Sequence, residues 1–204
     1  IASLLPSSTE IVCALGLEKN LIGITHECDF PETISDRPHL TASRISPESM
    51  SSKEIDHAVR SQLDGHGSIY DLDENLLKEL KPDLILTQEL CDVCAVSYKT
   101  VQKAAKIYAA DADVVSLEPN TIEEIFENIK TVAELCGVKE RGIEVVESLQ
   151  TRLDKIKQKC SELETPNSEL PRVFMLEWLE PAFSPGHWVP EQVEIAGGNC
   201  LMGN

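Results

Sequence analysis

Strand-like and helix-like segments alternate along this chain with very short joints, and that alternation limits its fold more than any other feature. Residues 1–5 form an apolar run that Pro6 ends. Ile11, Val12, Ala14 and Leu15 then supply one face of a helix that stops near Gly16. Residues 21–24 are the next apolar run. Strand, helix and strand joined by few residues open a right-handed parallel sheet, because the crossover returns the second strand in the same direction as the first. The unit recurs, with a predicted helix over 73–80, a strand over 84–87, a helix over 96–109 and a strand over 113–117. Continuous short apolar runs of this kind suit strands covered on both faces.

Between residues 31 and 70 the chain is rich in Ser, Pro and Gly and carries one predicted helix around 52–63, an excursion placed at the edge of the site. From Thr121 the pattern is helical for about forty residues. Thr121 and Glu124 have the spacing of a capping box, and Gly137 breaks the run. Val146, Leu149, Leu153, Ile156, Cys160 and Leu163 then fall on one stripe. A helix over 139–163 would be about 37 Å long. A coiled-coil dimer is the rival use of that stripe. Residues 164–168 read as a linker, 172–176 as a strand and 190–196 as a helix before Gly197-Gly198. The expected architecture is α/β: a Rossmann-like parallel-sheet lobe over 1–120, a helical spine over 121–165, and an incomplete second α/β lobe over 166–204.

Charge narrows the function. Eighteen basic residues against thirty-five acidic ones give a net charge of −17, and no basic stripe is long enough to neutralise a nucleic-acid backbone. An anionic membrane would repel such a chain. No apolar run approaches the roughly 20 residues of a membrane-spanning helix, and no signal-peptide core precedes Ile1. The apolar fraction of 42% is that of a soluble globular protein. Seven cysteines, an odd number with one Cys-x-x-Cys, lean toward a reducing, cytoplasmic compartment. Cys13, Cys136 and Cys160 fall on apolar helical positions and read as small core residues.

Several blocks resemble a known family. Leu4-Leu5-Pro6-Ser7-Ser8-Thr9-Glu10, then Lys81-Pro82-Asp83-Leu84-Ile85, then Glu177-Trp178, Pro181-Ala182-Phe183 and Gly197-Gly198-Asn199 occur in the order found in helical-backbone (class III) periplasmic solute-binding proteins, which serve vitamin B12 and iron–siderophore ABC importers. The resemblance implies two Rossmann-like lobes joined by a long helix, a ligand cleft, an ABC importer as partner and a periplasmic or extracytoplasmic address. His26-Glu27-Cys28-Asp29-Phe30, the 91–96 block and Gly186-His187-Trp188-Val189-Pro190 are similar to a cobalamin-binding-like subgroup. The better-known B12 binders surround the corrin ring with aromatic residues, whereas aromatics are only 4% of this chain.

Ligands of open parallel sheets bind beyond the carboxyl ends of the strands. That rule gathers Ser7 and Ser8, His26 and Glu27, Gln88 and Glu89, and, from the second lobe, Glu177, Trp178, His187 and Trp188 as candidate ligand contacts. Ser7 and Glu10 have capping-box spacing, which would leave Ser8 free to meet a ligand. His26, Cys28, Cys91 and Cys94 supply an imidazole and three thiols, a set suited to zinc or iron. The competing uses of Cys91 and Cys94 are a reversible disulfide and plain packing. His39, His57 and His66 read as surface histidines. Arg44 and Arg172 are the cations nearest the proposed loops. The leading expectation is a non-enzymatic binder of a corrinoid-like or metal-chelate ligand. The alternative is a metal- or thiol-dependent enzyme, or a metal-handling protein, built on His26, Cys28, Cys91 and Cys94.

Overall fold

The computed structural model describes residues 1–66, 68–89, 97–163 and 170–202, without the side chains of 65 and 66. The chain divides into two units, Ile1–Glu118 and Pro119–Asn204.

In the first unit, strands β1 (Ala2–Ser3), β2 (Gly23–Ile24), β5 (Leu84–Thr87) and β6 (Asp113–Ser116) form one sheet in the order β2-β1-β5-β6. Every pairing in it is parallel, with Ala2 opposite both Gly23 and Ile85, and Leu84 opposite Asp113. Helix α1 (Pro6–Ala14) crosses from β1 to β2, and α4 (Tyr98–Tyr108) lies between β5 and β6 in sequence. All four residues of β5 are buried, as its unbroken apolar run requires. Gly23 admits the Leu40 side chain: a Cβ there would meet Leu40 Cδ1 at 2.6 Å. Leu4, Leu40, Leu77, Ile85 and Val101 centre the core between the sheet and its helices.

The excursion over 31–70 is more regular than its composition suggests. It carries α2 (Ser52–His66) and, with the residues just beyond, an antiparallel hairpin of β3 (Thr41–Ser43) and β4 (Tyr70–Leu72). Arg44 donates to Asp71 Oδ1 through Nε at 2.8 Å and Nη2 at 2.5 Å, so this cation fastens the hairpin. The short helix α3 (Glu74–Leu80) begins where the Asp73 carboxylate accepts the Leu76 N–H at 2.9 Å.

In the second unit, α5 (Ile122–Leu135) and α6 (Lys139–Ser161) are separated by Gly137, whose φ of +71° suits glycine. Thr121 Oγ1 accepts the Glu124 N–H at 3.1 Å, as in the predicted cap, while Glu124 Oε2 accepts the N–H of Asn120, one residue before the N-cap. Glu191, on α7 (Val189–Ile195), accepts the Ile122 N–H at 3.0 Å and so satisfies a second free donor of α5. The apolar stripe of α6 is not a free coiled-coil seam at its start: Val146 is 5% exposed, whereas Leu163, beyond the helix, is 72% exposed. Strand β7 (Arg172–Val173) pairs in parallel with β10 (Asn199–Cys200). It is shorter than the run over 172–176 suggests, because Phe174, Met175 and Leu176 are exposed and unladdered. A small hairpin of β8 (Trp178–Leu179) and β9 (Ala182–Phe183) completes the described strands.

Candidate functional site

Because the four strands of the first unit are parallel, their carboxyl ends share one edge. The chain runs from β1 outward to β2, then returns to the other side of β1 with β5 and continues to β6. The order therefore reverses between β1 and β5, the position at which open parallel sheets of this kind bind ligands. Pro6 and Ser7 follow β1, Gln88 and Glu89 follow β5, and Thr25, His26 and Glu27 follow β2.

Helix α1 starts two residues earlier than the Ser7–Glu10 spacing predicts. Pro6 occupies its first turn, Leu5 is the N-cap, and no described side chain caps it. Ser7 is exposed at this edge. Ser8 is not free: at 0% exposure it donates to Leu5 O at 3.0 Å and meets Ser3 Oγ at 2.5 Å. Thr9 Oγ1, also fully buried, donates to Ser3 Oγ at 2.7 Å and lies 3.1 Å from Cys28 Sγ. One buried polar chain thus links β1, the first turn of α1 and the loop after β2. With Thr9 donating to Ser3, the Cys28 thiol is left to donate to Thr9. Burial pushes that thiol above its usual range, a shift opposed by its contacts with Thr9 and the Thr25 backbone. That upward push favours the neutral thiol over the nucleophilic thiolate.

A second network orients His26. Thr41 Oγ1, brought in by β3, accepts the His26 backbone N–H at 3.1 Å and meets Thr25 Oγ1 at 2.8 Å and His26 Nδ1 at 2.7 Å. The pattern closes when Thr25 donates to Thr41 and Thr41 donates to Nδ1, which puts the ring proton on Nε2. Nε2 is itself buried and lies 3.2 Å from Glu27 Oε1, outside hydrogen-bond geometry. The Tyr70 ring meets the imidazole edge-on at 5.3 Å. Burial, then the Glu27 carboxylate, push the Tyr70 phenol above its usual range. Beyond β5, Glu118 Oε1 accepts the Glu89 N–H at 3.2 Å and the Ser116 hydroxyl at 2.5 Å. This fixes a carboxylate at the end of β6.

Thus Ser7, His26, Glu27, Gln88 and Glu89 lie on one edge of the first unit, with Ser8 beneath it. Ser3, Thr9, Thr25, Thr41 and Tyr70 were not read from sequence, although they position the residues that were. Ser3 and Thr25 stand at strand ends, but Thr9 lies within α1 and Thr41 and Tyr70 open strands of their own, so no shared local signal marks them. Cys91 and Cys94 lie outside the described residues. Among the described residues no group of three or more His, Cys, Asp or Glu side chains is placed to hold a metal.

Glu177, Trp178, His187 and Trp188 belong to the second unit. The Glu177 N–H donates to Phe183 O at 2.9 Å across the β8–β9 hairpin, and Trp178 Nε1 donates to Glu180 O at 3.2 Å. His187 is exposed and takes a left-handed φ of +54°, with its ring 5.6 Å from that of Trp188. Trp178 and Trp188 are each half-buried, and Arg172 is exposed at the start of β7.

A family model described as periplasmic binding protein matches residues 1–202. A relative from Bacillus subtilis (strain 168), described as the uncharacterized ABC transporter substrate-binding lipoprotein YvrC, is 25% identical over 165 residues, covering 78% of this chain and 41% of the relative. Among solved structures, a possible iron-binding (periplasmic solute-binding) protein from Staphylococcus epidermidis ATCC 12228 superposes with a TM-score of 0.70 at 21% identity, covering 98% of this chain and 66% of that one. The periplasmic vitamin B12 binding protein BtuF of Vibrio cholerae gives 0.65 at 19% identity, covering 100% and 66%. The periplasmic heme-binding protein RhuT from Roseiflexus sp. RS-1 gives 0.68 at 18% identity, covering 97% and 64%. These likenesses establish an α/β fold shared with periplasmic binding proteins. The chain spans 41% of the curated relative's length and 64–66% of these solved chains.

Proposed function

The chain belongs to the periplasmic binding protein family, and from that premise we propose that it captures a small solute at the carboxyl edge of its first sheet for delivery to an ABC importer. The observation that carries this reading is the strand order β2-β1-β5-β6 with every pairing parallel. Open parallel sheets bind ligands at such a reversal, and Ser7, His26, Glu27, Gln88 and Glu89, which follow strand ends on that edge, are the proposed contacts. Glu177, Trp178, His187 and Trp188 are the second unit's proposed ligand contacts, the two tryptophans offering flat apolar area. The proposed ligand is corrinoid-like or a metal chelate, the class to which the vitamin B12 and heme named for two solved relatives belong. The proposed address is extracytoplasmic, as for the lipoprotein relative; no described helix is long and apolar enough to cross a membrane.

Binding without bond chemistry is favoured over a thiol- or metal-dependent reaction. The Cys28 thiol is engaged with Thr9, and burial favours its protonated form. For Cys28 to ligate zinc or iron, its contact with Thr9 would have to break and the thiol would have to ionise.

Isothermal titration of the chain with cobalamin, haemin, a ferric hydroxamate chelate and zinc separates the readings. Saturable uptake of one chelate, weakened by Glu27→Ala and Ser7→Ala with unchanged melting, is the expected result. Uptake of zinc alone, lost in Cys28→Ser, would overturn it.

A further inference from the structure

Helix α4 carries a feature that solute capture leaves unused. Lys99, Lys103 and Lys106 stand within about 60° of one another around the helix, at 3.6 residues per turn. All three are exposed. Among the described residues no carboxylate pairs with any of them, whereas Arg37, Arg44 and Arg60 of the same unit each pair with an aspartate. This concentration of unpaired positive charge stands out in a chain of net charge −17.

The lysines border a shallow, open hollow. A space of about 340 Å³ opens against Lys99, Gln102, Lys103, Lys106 and Ile107. It adjoins a second of about 290 Å³, which shares Gln102 and Lys106 and reaches Val114 on β6. Ile107 leaves 60% of its surface exposed beside the lysines. Strand β6 is the outermost of its sheet, so among the described residues one of its sides has no partner strand.

We propose that this hollow is a docking groove for an acidic, extended segment of a partner protein. Along α4, Lys99 and Lys103 are offset by about 6 Å, and carboxylates on alternate residues of an extended chain are about 6.8 Å apart. The two spacings match closely enough for successive acidic side chains to meet successive lysines. An apolar side chain of the same segment would cover Ile107. A narrow segment meets only this patch, whereas a flat anionic membrane would also face the surrounding negative charge. Charge complementarity here sets partner choice and encounter rate more than total affinity, so the interaction is salt-sensitive.

The test is fluorescence anisotropy on the whole chain, using a labelled octapeptide of alternating glutamate and leucine. A lysine–leucine octapeptide and phosphatidylglycerol vesicles serve as competitors. Saturable binding of the acidic peptide is expected, weakened roughly tenfold or more by K103E/K106E and by raising salt. Those positions are exposed, so far-UV melting of the variant should match the parent. Equal binding of the acidic peptide to parent and variant, no binding to either, or displacement by vesicles alone would overturn the proposal.

Discussion

Cys28 Sγ lies 3.1 Å from Thr9 Oγ1, and Thr9 passes its own hydrogen to Ser3 Oγ at 2.7 Å. The first loop that can carry soft ligand chemistry is thereby tied to an inner strand of its sheet. Thr9→Val removes the only described hydroxyl between Cys28 and Ser3 while keeping the volume. We expect a loss of about 1–2 kcal/mol, the usual cost of stranding buried polar groups, read as a lower urea midpoint with unchanged slope.

Ser7 and Ser8 should separate by assay. Ser8→Ala breaks a fully buried contact with Leu5 O and should cost about 1 kcal/mol in stability. Ser7→Ala, at an exposed position, should leave stability within about 0.5 kcal/mol and act on ligand titration alone. A Ser7 variant that melts early without a change in binding would remove Ser7 from the proposed edge.

Alkaline stability follows from Cys13. Burial, reinforced first by Glu18 and then by Cys28 and Glu10, pushes its thiol from 9.0 up to about 11. The folded state therefore keeps a proton that the unfolded chain gives up near pH 9. This contribution is fully present below pH 9 and disappears as the pH rises through about 11. Denaturation series between pH 8 and 11 should show stability falling over that window, less steeply in Cys13→Ala.

The start of α5 gives a fourth test. Thr121 Oγ1 and Glu191 Oε2 satisfy different N–H groups of the same first turn, those of Glu124 and Ile122. Thr121→Ala should cost about 1 kcal/mol. Glu191→Ala should add to it, because the two carry separate donors, and thermal melts of the double variant should show the sum.

Much of the fold was legible because it rests on local apolar patterning. The strand over 84–87 is found with the predicted bounds, and the cap at Thr121 and the break at Gly137 follow from local chemistry. The β3–β4 hairpin escaped because Thr41-Ala42-Ser43 buries only Thr41 and carries no apolar alternation. The start of α1 was misplaced because Pro6 at the first turn outcompetes a serine cap one residue later. At the site, strand ends located His26 and Glu27, but not what holds them. Thr41 and Tyr70 reach His26 from 15 and 44 residues along the chain, and no local spacing encodes that approach.

Helix substitution gives the last test. A Cβ at Gly142 would meet the Ala133 Cβ at 2.5 Å where α6 passes α5. Gly142→Ala gains about 1 kcal/mol of helix propensity, but the clash costs about 1–3 kcal/mol, so calorimetry should show a net loss.

The same approach ties the histories of two positions together. One methyl group fills the crossing, so residues 133 and 142 share an allowance of one methyl between them. Across descendants of this sequence the pair can read alanine–glycine or glycine–alanine, and each exchange must pass through an intermediate that is either overfilled or hollow. Substitution at these two sites should therefore be slow and correlated, while the exposed faces of the same helices drift freely.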